Sequence, residues 1–190
     1  MHIKKGHRAL RILAISGSLR RVSSNTALVH AASELAPDGL EVRVFTQLSE
    51  LPLFNPDLDG EQPPTAVVQF RLELDASAAL LISSPEYAHG VPGALKNALD
   101  WLVGSGEIVG KPVALFNASP RATHAQASLV ETLRVMSANV IEAASIAVPL
   151  SGRHLDASGI VADPELSSII RSALAEFARA VTHRQPLIPS

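Results

Sequence analysis

With 190 residues and no cysteine, the chain is long enough to bury a core as one domain, and it holds no disulfide scaffold, thiolate metal site or cysteine nucleophile. Its 16 Lys and Arg against 18 Asp and Glu leave a net charge of −2, which excludes the clustered basic surface that a nucleic-acid partner requires. Hydrophobic residues reach 47%, mostly Ala, Leu, Val and Ile, yet no window of about 20 apolar residues is free of charge or helix breakers, so neither a membrane span nor a membrane partner is expected.

The N-terminal MHIKKGHRAL is basic but has no apolar signal core, so no secretory signal is expected and the cytoplasm is the expected location. Leu10 to Ser16 reads as a buried strand that runs into the loop GSLRRVSSN. The following segment has the spacing of a helix, Asn25 to Leu35, whose N-terminus points back at that loop. Unpaired N–H groups and partial positive charge at a helix N-terminus suit a phosphate. Ser18, Ser23, Asn25 and Thr26 can add neutral hydrogen bonds, while Arg20 and Arg21 add charge. The loop has a single glycine and no P-loop lysine, so the dinucleotide fingerprint and Walker A both fail and a mononucleotide or flavin phosphate fits better. Helix capping alone accounts for one or two of these side chains, not for the whole set.

Glu41 to Phe45 is the second strand candidate, and Thr46 to Pro64, with its four prolines, reads as a long connection. A helix over about Ala66 to Ala76 leads to a third strand, Ala79 to Ser83. Ser83 to Gly93 then combine two prolines and two glycines with Glu86, Tyr87 and His89. Such a stiff backbone can turn several N–H groups toward one planar ligand, such as an isoalloxazine that Tyr87 stacks on or borders. The same composition also describes a proline-rich turn entering a helix. In that helix, Gly93 to Val103, the residues Leu95, Ala98, Leu99 and Leu102 form the inner face, and Lys96 can pair with Asp100. Trp101 is expected in the core or a subunit interface before contact with a ligand.

Pro112 to Asn117 is the fourth strand, ending in FNASPRATHAQ. Ser119 can bond a ring from the far side or simply initiate a turn. A helix over about Ala125 to Ser137, a strand over Val140 to Val148 and a helix over Pro164 to His183 complete the pattern; the tail beyond Val181 reads as frayed or laid on a neighbour. The seven histidines show no HxxxH spacing, so no metal site is nominated. Alternating strands and helices predict an α/β fold: a flavodoxin-like, five-stranded parallel sheet of order 2-1-3-4-5, helices on both faces, ligands at the carboxyl ends of the strands. One domain, 1–190, with a core of about 10–179, is expected.

GSLRRVSSN resembles the GSxRxxSxN phosphate loop of the NADPH-dependent FMN reductase family, and SPEYAHGVPGALKNALDW resembles that family's PEYNxSxPGxLKNAxDW signature. The family includes quinone, chromate and azo-dye reductases. The resemblance implies that Ser18, Arg20, Ser23 and Asn25 bind the FMN phosphate, that Pro85, Glu86 and Tyr87 line the isoalloxazine, and that Ser119 closes its other edge. Two positions depart from the family pattern: Ala88 stands where it has Asn, and Arg121 to His124 replace its Gly-Gly. FMN is then the implied cofactor and NADPH or NADH the co-substrate. Hydride passes to a quinone, azo, metal-oxyanion or flavin acceptor in ping-pong order. No obligate catalytic side chain is expected, with Tyr87 and His89 candidates at the open ring face. A small-molecule acceptor and a homodimer or homotetramer are the implied partners. The alternatives are a non-enzymatic FMN electron carrier, which is usually more acidic than this chain, and a scaffold that binds without turnover; a phosphatase of the low-molecular-weight tyrosine type lacks its cysteine here.

Overall fold

The computed structural model describes residues 9–184, so the N-terminal basic segment and the end of the tail lie outside the described residues. The strands are β1 (Leu10–Ser16), β2 (Leu40–Phe45), β3 (Ala79–Ser83), β4 (Pro112–Asn117), β5 (Asn139–Val140) and β6 (Ile146–Ala147). The helices are α1 (Ser24–Glu34), α2 (Thr65–Asp75), α3 (Gly93–Asp100), α4 (Thr123–Val135), α5 (Ala157–Ala162) and α6 (Pro164–Arg184). All strand pairs are parallel, in the order β2-β1-β3-β4-β5, with β6 also on β4. This is the flavodoxin-like order.

Alternation along the central strands divides the core in two, because successive side chains leave opposite faces of a sheet. Ile12, Ala14, Leu81, Ala114 and Phe116 pack with α1, α5 and α6, whereas Leu13, Ile15, Leu80, Ile82, Val113 and Leu115 pack with α2, α3 and α4. Both faces are covered, which explains the continuous apolar runs of β1, β3 and β4.

The fifth strand is not the continuous Val140 to Val148 that the sequence predicts. β5 pairs Val140 with Val113, β6 pairs Ile146 with Phe116, and a short 3₁₀ turn at Glu142–Ala144 separates them. Ser145 bridges the gap: its Oγ accepts from the Leu115 N–H of β4 at 3.0 Å and donates to the Ile141 carbonyl at 3.0 Å. A side chain thus satisfies a buried strand donor that a regular ladder would have paired. α5 escapes sequence reading because six residues with Gly159 among them carry no helical period; its cap is Asp156, which accepts from Gly159 N at 2.8 Å.

α3 ends at Asp100, before the predicted Val103. The carbonyl of Trp101 is taken by the Arg71 guanidinium (Nε at 3.1 Å), and that guanidinium is ion-paired with Asp59 at 2.8 Å. Trp101 is fully buried and sits in the core; its Nε1 donates to Pro52 O at 2.8 Å and its ring meets Phe54 edge-on. Asn97 adds two bonds to the same segment, donating to Pro52 O and accepting from Phe54 N. These contacts hold the long 46–64 connection against α3. Lys96 and Asp100 form the expected i,i+4 pair at 2.5 Å.

At the opposite edge from the strand C-termini, Lys111 donates to the carbonyl of Leu74 (2.8 Å) in the last turn of α2 and to that of Ser77 (2.7 Å) just after it. Burial holds its pKa below the ordinary 10.5, against the attraction of Asp75 and Glu107. A group with a lowered folded-state pKa binds more protons when unfolded, so its contribution to stability rises with pH between that lowered value and 10.5. Urea unfolding over this alkaline window is expected to show wild type gaining stability relative to Lys111→Met; a constant difference would contradict the burial effect.

Candidate cofactor cleft at the carboxyl edge of the sheet

β1, β3 and β4 end side by side, so the loops that follow them share one edge of the sheet. Gly17, directly after β1, donates its N–H to Ser83 O at 2.8 Å. A Cβ there would stand 2.9 Å from Ser84 Oγ and 3.0 Å from Leu95 Cδ2, so any side chain would have to push these two groups aside. Asn25 at the start of α1 fastens the same pair of loops, its Oδ1 accepting from the fully buried Ser83 hydroxyl at 2.9 Å.

A cleft of about 330 Å³ opens between the loops, within the range usual for small-ligand sites. Eight of the nine residues nominated from sequence line it: Ser18, Arg20, Ser23, Asn25, Pro85, Glu86, Tyr87 and Ser119. Thr26 does not; its hydroxyl shares a hydrogen bond with Ser16 Oγ at 2.8 Å, and it faces a neighbouring cavity. Arg21 parts from Arg20 in the same way and borders only that neighbour.

The first loop is organised by its own hydroxyls. Ser16 Oγ accepts from Ser18 N, Ser18 Oγ from Arg20 N (both 3.3 Å), and Ser23 Oγ caps α1 by accepting from Thr26 N at 3.4 Å. Capping thus accounts for Ser23, as the bland reading of the loop allows, and leaves Arg20 without a carboxylate partner among the described residues.

Glu86 has a task that sequence did not disclose. α4 begins after Ala122, which offers no side-chain cap, and the Glu86 carboxylate supplies one from the neighbouring loop by accepting from Ala125 N at 2.9 Å. Its main-chain N–H has no partner within the described chain. Beyond it, Tyr87 and Gly90 exchange N–H···O bonds of 3.1 and 2.9 Å around Ala88 and His89, both with left-handed φ (49° and 61°), as in a type I′ turn.

The two departures from the family pattern meet here. The imidazole of His89 stacks on that of His124, centroids 4.1 Å apart and planes 19° from parallel, so the turn touches the start of α4 a second time. His89 is exposed on the rim and does not line the cleft. Ser119 is placed by Asn117, which accepts from Ser119 N at 2.9 Å and donates to Ala122 O at 3.1 Å, and its own hydroxyl accepts from Ser151 at 2.9 Å. Asn117, Arg121 and Ser151 line the cleft without having been nominated; the Ser-Gly pair at 151–152 after an apolar run was the one sequence signal for Ser151.

A model of the NADPH-dependent FMN reductase family matches residues 10–152, a span that contains every residue lining the cleft. The chain belongs to that family. Among relatives, it is 33% identical to an NAD(P)H-dependent FMN reductase of Pseudomonas aeruginosa over 87% of this chain and 91% of that one. It is 31% identical to a 2-hydroxy-1,4-benzoquinone reductase of a Burkholderia species over 93% and 99%. Among solved structures, the flavoenzyme NAD(P)H:(acceptor) oxidoreductase FerB of Paracoccus denitrificans superposes with a TM-score of 0.81 at 27% identity, covering 92% of this chain and 98% of that one. This family member is an oxidoreductase that uses FMN and NAD(P)H, and the electron-carrier alternative is not favoured. Among its described residues no helix is long and apolar enough to cross a membrane, and no group of three metal-ligating side chains occurs.

Left-handed backbone costs an alanine about 1–2 kcal/mol that glycine or asparagine largely avoids. Ala88→Gly and Ala88→Asn are therefore each expected to raise unfolding free energy in urea by roughly 1 kcal/mol; destabilisation by both would show that the turn is not formed as described.

Proposed function

We propose that the cleft holds FMN lengthwise, its phosphate on Ser18, Arg20, Ser23 and Asn25 and its isoalloxazine between Pro85, Glu86 and Tyr87 on one side and Ser119 on the other. The observation that carries this reading is the convergence of all three loops on one cleft. The donor set suits the group. Arg20 has no competing carboxylate, and Asn25 has committed its Oδ1 to Ser83, which leaves its amide nitrogen as a donor. At the other end the free N–H of Glu86 and the hydroxyls of Ser119 and Ser151 can meet the polar edge of a flat ring.

Bound FMN supplies the hydride chemistry that links NAD(P)H to the acceptor in ping-pong order. The protein needs no nucleophile for this; its residues hold the ring, leave one face open and exclude bulk water from the other. Tyr87, about half exposed, and the rim residue His89 border the open face, where they can shape access or hold a proton for a reduced acceptor. Quinones are the proposed acceptors, supported by the benzoquinone reductase among the relatives, with azo compounds, metal oxyanions and free flavins as further members of the same panel. A homodimer or homotetramer in the cytoplasm, each chain a single domain, completes the proposal; the strongly exposed Leu53 and Val103 are compatible with subunit contact.

Purified protein is expected to be yellow or to turn yellow with FMN, and to lose NAD(P)H oxidation when FMN is stripped. Arg20→Gln should raise the FMN dissociation constant about tenfold or more, the range for a lost charge-assisted bond. Colourless protein without flavin affinity, or an Arg20 variant that binds FMN like wild type, would refute the assignment of the cleft.

A further inference from the structure

Beside the phosphate loop lies a second cavity of about 540 Å³, which shares Arg20, Ser23 and Ser24 with the first. Its remaining walls are α1 and the segment 152–157 that enters α5. Of the residues assigned above to FMN, Arg20 and Ser23 at the phosphate line it, whereas Pro85, Glu86, Tyr87 and Ser119 at the ring do not. A ligand there meets the phosphate end of the cleft and has no wall in common with the ring, so it is placed to act on cofactor retention and not on electron transfer. The residues from Arg153 onward lie beyond the span that the family model matches.

Four basic side chains converge on the cavity: Arg20, Arg21, His30 of α1 and His154. Carboxylates do not compensate them. Neither Arg20 nor Arg21 has an acidic partner among the described residues, while Arg153, next to His154 in the chain, is held by Asp163 at 2.6 Å. The one carboxylate on the wall, Asp156, is turned to Gly159 N and the Ser158 hydroxyl, both at 2.8 Å. Those bonds hold its pKa below the usual carboxylate range, so it stays a charged cap and not a partner for the arginines.

The rest of the lining is partly aliphatic: Val22, two-thirds exposed to solvent, with Ala27, Leu155 and Ala157. Two guanidinium groups suit a doubly charged phosphate head better than a single carboxylate, and the aliphatic wall suits a compact apolar body attached to it. Arg20 makes such a ligand felt in the neighbouring cleft. An anion that draws its guanidinium into the second cavity removes the charged contact proposed for the FMN phosphate and sets a like charge beside that phosphate. A second link runs through the 151–154 segment, where Ser151 bonds Ser119 in the cleft while Gly152 and His154 line the cavity.

We propose that this cavity is a regulatory site for a small phosphate monoester, its head on Arg21, His30 and His154 and its apolar body against Val22 and Leu155, whose binding draws Arg20 from the cleft and lowers the affinity for FMN. The regulation rests on the assignment of the first cleft to FMN; the anion site does not. Coupling of this kind is reciprocal, so bound FMN weakens the effector by the same factor.

Calorimetric titration at fixed ionic strength, with and without FMN, would use phenyl phosphate, benzoate and inorganic phosphate as probes. Phenyl phosphate is expected to bind the FMN-loaded protein about tenfold more tightly than either of the others, and Arg21→Gln to weaken it by a similar factor, with His154→Gln acting in the same direction. Phenyl phosphate should raise the FMN dissociation constant about fivefold or more and then reach a plateau, because both ligands can be bound at once. In Arg21→Gln, whose FMN affinity without the probe should equal that of wild type, the rise should vanish. A rise without limit would mean that the probe merely displaces FMN from the cleft. That result, an FMN affinity indifferent to the probe, or probe binding indifferent to Arg21 would overturn the proposal. Wild type that takes up no FMN yet binds phenyl phosphate through Arg21 would overturn the flavin assignment and uphold the anion site.

Discussion

The close approach of the end of β1 to the end of β3 is the constraint on which the site depends. Gly17 bonds to Ser83 through its backbone, and the Ser84 and Leu95 side chains crowd the place where its Cβ would be, so the phosphate loop is pressed against the loop that follows β3. Without that contact the two loops would end on the same edge but not share a wall. The Asn25–Ser83 bond then fixes α1 to this junction, and the Glu86 carboxylate fixes the β3 loop to α4. Three elements that parallel topology merely makes neighbours become one cleft through three specific bonds.

A second theme is division of labour within short stretches of chain. Arg20 and Arg21 are adjacent and chemically identical, yet one reaches both cavities and the other only the second. Glu86 spends its carboxylate on a helix that has no cap of its own and leaves its backbone N–H without a partner among the described residues. His89, next to the departing Ala88, and His124, inside the departing 121–124 segment, stack on each other and give the same two loops a second contact.

The architecture was legible in sequence because fully buried parallel strands leave unbroken apolar runs, and β1, β3 and β4 have the predicted bounds. The fifth strand was not, since nothing in Val140 to Val148 announces that Ser145 will replace a backbone partner of Leu115. The three loops that form the cleft were also visible, as clusters of hydroxyl, proline and glycine residues after strands. What stayed hidden were contacts between segments distant in sequence: Glu86 with Ala125, Ser119 with Ser151, Thr26 with Ser16. A hydroxyl in a loop looks the same in sequence whether it faces a ligand or a neighbouring hydroxyl.

The most direct measurement is a crystal structure of the FMN-loaded protein. It should place the phosphate within hydrogen-bond distance of Ser18 and Arg20, and the ring between Tyr87 and Ser119. A flavin whose phosphate sits instead on Arg21 and His154, or that lies away from the three loops, would contradict the account.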